Sequence, residues 1–302
     1  MRIGIVGLGR MGANMAERLL KGGHTVAGFD FSKDAVASLE SKGGEGAASL
    51  ASLVNTLDPP RALWMMVPSG KPVDDTVAGL VPLMKKGDIL IDGGNSLYKD
   101  TLRRAADVKA KGISYVDCGT SGGIWGLAEG YSLMIGGDDD AVERLRPIFE
   151  TLAPSPTHGW GHVGPSGAGH FVKMIHNGIE YGMMQSFAEG MAILDAKKEF
   201  DLDLHQIAEI WRQGSVVRSW LLDLIAKALE ENPALQGISP YVSDSGEGRW
   251  TVFDAIDEDV PAPVITLALI ERLRSRQTDS FADKLLAAMR SQFGGHAIKT
   301  KD

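Results

Sequence analysis

IGIVGLGRMGANMAERLL, residues 3–20, decides the fold. Residues 3–6 are a short apolar run suited to a buried strand, residues 7–12 read Gly-Leu-Gly-Arg-Met-Gly, and Met11, Met15, Leu19 and Leu20 then recur at helical spacing. The order is therefore strand, glycine turn, helix. Gly7 permits the tight turn, Gly9 lets a pyrophosphate approach the backbone, and Gly12 lets the helix pack close to the strand. The phosphates are expected at the helix N-terminus, where unsatisfied N–H groups and the dipole favour anions. A second strand, TVAGFD at 25–30, ends in Asp30, 18 residues after Gly12, where an acid can bind ribose hydroxyls. A dinucleotide cradle follows, made by Gly7, Leu8, Gly9, Arg10, Met11, Gly12 and Asp30.

Outward from that unit the alternation continues. Helices are predicted near 34–42, 72–85 and 99–111, and strands at 62–67, 88–92, 113–117 and 131–137. Strands alternating with helices give a Rossmann-type α/β fold with a doubly wound, mostly parallel sheet, whose ligands bind beyond the carboxyl ends of the strands. Val67-Pro68-Ser69, Asn95-Ser96 and Ser121-Gly122-Gly123 all follow predicted strands and could rim one crevice. Asn95 alone is equally readable as a turn residue after two glycines. The glycine-rich stretch HGWGHVGPSGAG at 158–169 suits a domain boundary, with residues 1–163 on one side and 164–302 on the other. Beyond it the pattern is helical at 169–197, 203–213, 216–231, 260–275 and 278–293, interrupted by SDSGEGRW at 243–250. The second domain is thus all-helical.

Composition limits the partners. The 302 residues carry a formal net charge of −8, which argues against nucleic acid or an anionic membrane as the main partner. No stretch reaches the length of an apolar membrane span, and no signal-peptide pattern opens the chain. The single Cys118 excludes an internal disulfide and reads as a small buried hydrophobe. A cytoplasmic protein is expected. His24, His158 and His162 lack ligand spacing, and with no HExxH or paired cysteines no metal is expected.

GHFVKMIHNGIEYGMMQ is the other unusual stretch. Lys173, His176, Asn177, Glu180 and Tyr181 fall at i, i+3, i+4, i+7 and i+8 and form one stripe of a helix. A solvated face is the ordinary reading of a polar stripe. One base, one acid, one imidazole, one amide and one phenol make an active-site inventory instead.

With GLGRMGANM at 7–15, DGGNS at 92–96, SGG at 121–123, KMIHNGIEYGMMQ at 173–185, GRWT at 248–251 and FGGH at 293–296, the chain resembles the β-hydroxyacid dehydrogenases. Within that superfamily it resembles the decarboxylating 6-phosphogluconate dehydrogenases in a short form lacking the second helical repeat. The resemblance implies oxidative decarboxylation of a small phosphorylated sugar acid, 6-phosphogluconate, to ribulose 5-phosphate and CO2 in the pentose phosphate pathway. It implies Lys173 as the general base, Glu180 as the acid that protonates C1, and His176 and Asn177 as orienting groups. It also implies Tyr181 on the phosphate, Asn95 near nicotinamide and substrate, and Ser121-Gly122-Gly123 steadying enolate charge. Val67 and Pro68 join the cofactor site. Arg272 would contact phosphate from the same subunit, while Arg290 and His296 would reach a neighbour's site, making a homodimer or homotetramer with shared active sites.

Two departures from the family matter. Long members place a phosphate-binding lysine just before the Gly-x-Gly-basic-Trp loop, and here that stretch is contracted to Asp244-Ser245-Gly246. NADP-dependent relatives carry Asn-Arg-Thr after the second strand, where this chain has Asp30-Phe31-Ser32. An ionised Asp30 repels a 2′-phosphate, so NAD is the expected cofactor, with NADP possible through Lys33. A non-decarboxylating dehydrogenase of the 3-hydroxyisobutyrate or tartronate semialdehyde type shares the cradle and the lysine, but has no carbon for Glu180 to reprotonate. A non-catalytic NAD-binding sensor is the third reading.

Overall fold

A computed structural model describes residues 1–300. The chain divides into two compact units, Met1–Asn177 and Gly178–Asp302. The first unit opens with β1 (Arg2–Val6), α1 (Arg10–Lys21), β2 (Thr25–Phe29), α2 (Lys33–Ser41), the two-residue β3 (Glu45–Gly46) and α3 (Leu50–Asn55). It continues through β4 (Ala62–Met65), α4 (Lys71–Leu80), β5 (Ile89–Asp92), α5 (Tyr98–Lys109), β6 (Ser114–Ser121) and the one-turn α6 (Gly126–Glu129). Then come β7 (Ser132–Gly136), α7 (Asp139–Leu152), β8 (Trp160–Gly164) and the long α8 (Ala168–Ala196), inside which the division of the chain falls.

The eight strands form one sheet in the order β3-β2-β1-β4-β5-β6-β7-β8. Neighbours run parallel except β6 and β7, which are antiparallel. From β1 the chain builds outward to β2 and β3, then returns to lay β4 on the other side of β1. That reversal opens a crevice beyond the carboxyl ends of β1 and β4, the place where such sheets bind ligands. Apolar runs such as Ala62-Leu63-Trp64-Met65 arise because both faces of the sheet are covered. Ile3, Ile5, Trp64, Ile89 and Ile91 enter one core cluster, whereas Val6, Leu63, Met65 and Leu90 enter the other. Successive side chains of a strand point to opposite faces, so one run feeds both layers.

The second unit adds α9 (Leu204–Arg212), α10 (Trp220–Glu231), α11 (Glu247–Asp257), α12 (Pro263–Arg274) and α13 (Phe281–Gly294). Its cores are small. Tyr181, Val252, Ala268 and Leu269 make one, and Ala208, Leu222 and Ala226, with Phe187 and Trp211 packed against them, make another. No helix among the described residues is long and apolar enough to cross a membrane.

Several stretches differ from the sequence reading. The glycine-rich 158–169 contains β8, an edge strand paired with β7, which lacks a strand signal because its residues are mostly only half-buried. SDSGEGRW is not wholly a loop, since α11 starts at Glu247. Helices α3, α6 and α7 and the two-residue β3 are not predicted from the sequence. α3 has six residues, and α7 carries Pro147 within it, which weakens a helical signal.

Candidate active site

The glycine turn after β1 meets the steric demands its sequence sets. Gly7 has φ 94°, and a Cβ there would overlap the carbonyl oxygen of Met66. At Gly12 a Cβ would overlap the carbonyl oxygen of Gly7, so α1 can pack this close only without a side chain. Gly9 has nothing within 4 Å of the place its Cβ would take. It is the N-cap of α1 and offers no side-chain cap, which leaves the first N–H groups of the helix for an anion. Asp30 accepts the Leu8 N–H at 2.7 Å and the Ser32 N–H at 2.8 Å, so the acid at the end of β2 also fixes the turn. Arg10 is exposed at the start of α1, Met11 is half-buried, and Phe31 is exposed. Val67, followed by Pro68, lies beside both Gly7 and Gly94, bringing the ends of β1, β4 and β5 together. These residues fit a dinucleotide pyrophosphate and its ribose.

Next along the sheet, Asp92 closes β5 with no solvent exposure. Its carboxylate accepts from Ser96 Oγ at 2.8 Å, Tyr115 OH at 3.0 Å and the Gly94 N–H at 3.1 Å. This braces the turn that presents Asn95, held at φ 50°, a left-handed conformation asparagine tolerates. Asn95 Oδ1 accepts the Thr120 N–H at 2.9 Å, and its Nδ2 donates to the Thr120 carbonyl at 3.1 Å. The turn residue is thus tied to the end of β6, next to Ser121, Gly122 and Gly123. Gly122 and Gly123 take φ values of 129° and 51°.

One residue earlier, Gly119 faces the Lys173 side chain so closely that a Cβ there would overlap the Lys173 Cβ. Asp117 accepts the Gly167 N–H at 2.6 Å and the His170 N–H at 2.9 Å, anchoring the start of α8 on the same strand. Lys173 Nζ donates to Asn177 Oδ1 at 2.7 Å and lies 3.4 Å from His176 Nδ1, which is itself 3.0 Å from Asn177 Oδ1. The structure therefore brings together Asn95, the 121–123 turn, Lys173, His176 and Asn177. Asp92, Asp117, Gly119 and Thr120 escaped sequence reading because their work is to hold other residues. Cys118 is fully buried, and burial pushes its thiol well above the usual range, in keeping with a packing role.

The stripe on α8 turns inward. Lys173 is 5% and Tyr181 6% exposed, while Ile179 on the apolar side is 51% exposed. His176, Asn177 and Glu180 are half-buried. In the second unit the Tyr181 hydroxyl accepts the Ser245 N–H at 3.2 Å, and the Arg272 guanidinium lies 3.6 Å over the Tyr181 ring. Arg290, on α13, and His296, just beyond it, are exposed. Among the described residues no group of three or more His, Cys, Asp or Glu side chains is placed to hold a metal ion.

A glycine cradle at a sheet switch point, with a buried lysine anchored on the same sheet, defines a dinucleotide-binding protein. Residues 2–161 match the model of the NAD binding domain of 6-phosphogluconate dehydrogenase, and residues 186–302 match that of the 6-phosphogluconate dehydrogenase C-terminal domain. The chain is 44% identical to the NAD(+)-dependent, decarboxylating 6-phosphogluconate dehydrogenase of Haloferax volcanii, over 100% of both chains. It is 39% identical to the decarboxylating 6-phosphogluconate dehydrogenase of Bacillus licheniformis, covering 94% of this chain and 64% of that one. Among solved structures, Plasmodium falciparum 6-phosphogluconate dehydrogenase superposes with a TM-score of 0.83 at 27% identity, over 100% of this chain and 66% of that one. The chain belongs to the 6-phosphogluconate dehydrogenase family.

Proposed function

We propose that this protein oxidises and decarboxylates 6-phosphogluconate to ribulose 5-phosphate and CO2, reducing NAD in preference to NADP. The inward-facing polar stripe of α8 carries the reading, because a helix that buries Lys173 and sets its amine against Asn177 and His176 is not folded for packing alone. Residues 1–163 serve as the dinucleotide domain and 164–302 as the substrate and oligomerisation domain. Gly7 to Gly12 and Asp30 would hold NAD, which when bound supplies the hydride acceptor.

Every proton step then belongs to the chain. Lys173 Nζ takes the proton of the C3 hydroxyl as the C3 hydride departs. Burial is the setting in which a lysine amine can act as a base. The resulting 3-keto acid loses CO2, and the electron pair of the broken bond moves onto the C3 oxygen as an enolate. Protonated Lys173 and the Ser121-Gly122-Gly123 turn stabilise that charge. Glu180, two turns further along α8, donates a proton to C1 of the product. His176 and Asn177 orient the hydroxyls, and Asn95 fixes the turn between nicotinamide and substrate.

A homo-oligomer with shared sites is part of the same reading. The second unit exposes an apolar groove of about 770 Å³ lined by Ile179, Met183, Phe187, Trp211, Val216 and Val264. Val216 is 99% exposed. A second copy covering such a surface would let Arg290 and His296 enter its neighbour's site.

Incubating the protein with 6-phosphogluconate and either nucleotide, while following reduced nicotinamide and CO2, is the direct test. One CO2 per reduced NAD is expected, with NADP used less well. Turnover of 3-hydroxyisobutyrate without CO2 would overturn the decarboxylating assignment. For the shared site, mixing Lys173→Met with Arg290→Ala subunits should restore part of the activity after exchange. Full activity in a demonstrated monomer would reject it.

A further inference from the structure

The contracted loop before α11 lacks the lysine that long relatives are expected to use for phosphate, yet it gathers cations from elsewhere. Arg272 Nη1 donates to the Ser243 carbonyl at 3.0 Å, and Arg276 Nε donates to the Val242 carbonyl at 3.1 Å. Arg276 Nη2 also reaches Asp244 Oδ2 at 2.6 Å. Arg249, in the first turn of α11, gives Nε to Asp244 Oδ1 at 3.2 Å and Nη2 to Oδ2 at 3.3 Å. Three guanidiniums thus land on residues 242–244, and the Tyr181 hydroxyl sits on Ser245. They outnumber the acids of the segment, Asp244 and Glu247.

Asp244 is the organising group. Its side chain is 6% exposed and also accepts the Gly246 N–H at 3.0 Å. Burial pushes its carboxyl up, and the hydrogen bonds from Arg249 and Arg276 outweigh that, so it lies below the ordinary carboxylate value. The two arginines it holds are unequal. Arg276 is bound more tightly and is 25% exposed, whereas Arg249 has the longer bonds and is 39% exposed. A guanidinium has five N–H donors, so Arg249 keeps some for another oxyanion while Asp244 fixes its plane.

The geometry points to Arg249 as a phosphate ligand: with Arg272, and braced by Asp244 and Arg276, it receives the phosphate of the sugar acid in place of the missing lysine. This rests on the function proposed above, and it makes the loop the element that selects phosphorylated over unphosphorylated acids. A dianionic phosphate suits two guanidinium forks.

The test is Arg249→Met in the full-length enzyme, with 6-phosphogluconate as substrate and inorganic phosphate or D-gluconate as competitive inhibitor. Loss of one charge-assisted contact should raise KM for 6-phosphogluconate about 10- to 100-fold, more than it changes kcat, and weaken inhibition by inorganic phosphate similarly. Inhibition by D-gluconate should stay within about twofold. An equal loss of gluconate inhibition, or an unchanged KM, overturns the assignment. If Arg249→Met does not fold, Arg249→Lys keeps the charge without the fork, and it must still raise KM several-fold for the assignment to stand. A wild-type protein that does not turn over 6-phosphogluconate defeats the parent reading. Calorimetry with inorganic phosphate on wild type and Arg249→Lys then tests the receptor alone, since weaker binding by the variant supports it and equal binding rejects it.

Discussion

Two loops of this molecule are suited to a phosphate, and they are built by opposite means. The 7–12 turn offers backbone N–H groups made accessible by the absence of side chains, with Asp30 spent on holding the turn itself. The 242–249 loop offers guanidiniums, with Asp244 spent on holding them. In both, an acid that looks repulsive to a phosphate acts as a brace. The difference is what each loop tolerates. A backbone-built site is lost by adding atoms, and a side-chain-built site by removing them.

The comparison can be broken most severely at Gly12. A valine there has no room beside the Gly7 carbonyl, and the atom it meets is backbone that cannot swing aside. Gly12→Val should abolish coenzyme binding and lower the soluble yield, whereas Gly9→Ala should fold normally and only weaken coenzyme affinity, as read by fluorescence titration and thermal melting. Equal behaviour of the two variants would remove the steric account of the turn. Lys173→Met comes next. Turnover should fall about 10²–10⁴-fold with coenzyme affinity nearly unchanged, because positioned bases contribute on that scale. More than a tenth of the wild-type rate would remove Lys173 as the base.

A moderate effect is expected where the cradle meets the adenine ribose. Replacing Asp30-Phe31 with Asn-Arg should shift the ratio of kcat/KM for NAD and NADP about tenfold toward NADP, by removing one repulsion and adding one phosphate partner. The same change should destabilise the turn, since Asp30 also accepts the Leu8 N–H. A wild-type preference for NADP would contradict the role given to Asp30. The smallest effect lies on neither loop. Hydrogen bonds from Arg104 and Arg103 hold the Asp74 carboxyl at about 2, below its usual 3.8. Because the folded-state value is depressed, its contribution is present above about pH 4 and is lost as pH falls toward 2. Asp74→Asn should flatten that part of the acid denaturation curve by no more than about 1 kcal/mol after solvent screening. An unchanged curve would mean the pair contributes nothing.

The cradle was legible because glycine is demanded by sterics, and sterics act between neighbours in sequence. The stripe on α8 was legible as a stripe, but which side faced inward was not, since periodicity is the same for a wet face and a buried one. Residues 242–249 stayed opaque for a different reason. Asp244 draws on Arg276, 32 positions away, and no local pattern records an ion pair closed by tertiary packing. Thr120 and Gly119 were hidden too, because a backbone partner and a missing side chain leave no chemical signature. β8 and α7 were missed where edge exposure and an internal proline blurred the usual period.

β6 has a further consequence. Gly119 sets how near Lys173 can come, and Thr120 sets where Asn95 sits, so two side chains arriving from α8 and from the turn after β5 are measured from consecutive residues of one strand. Both are therefore carried by the same mount, and positions referred to a strand are held more precisely than positions on loops. The strand acts as a shared gauge, so the spacing between Lys173 and Asn95 is set by one rigid element and not by two independent loops.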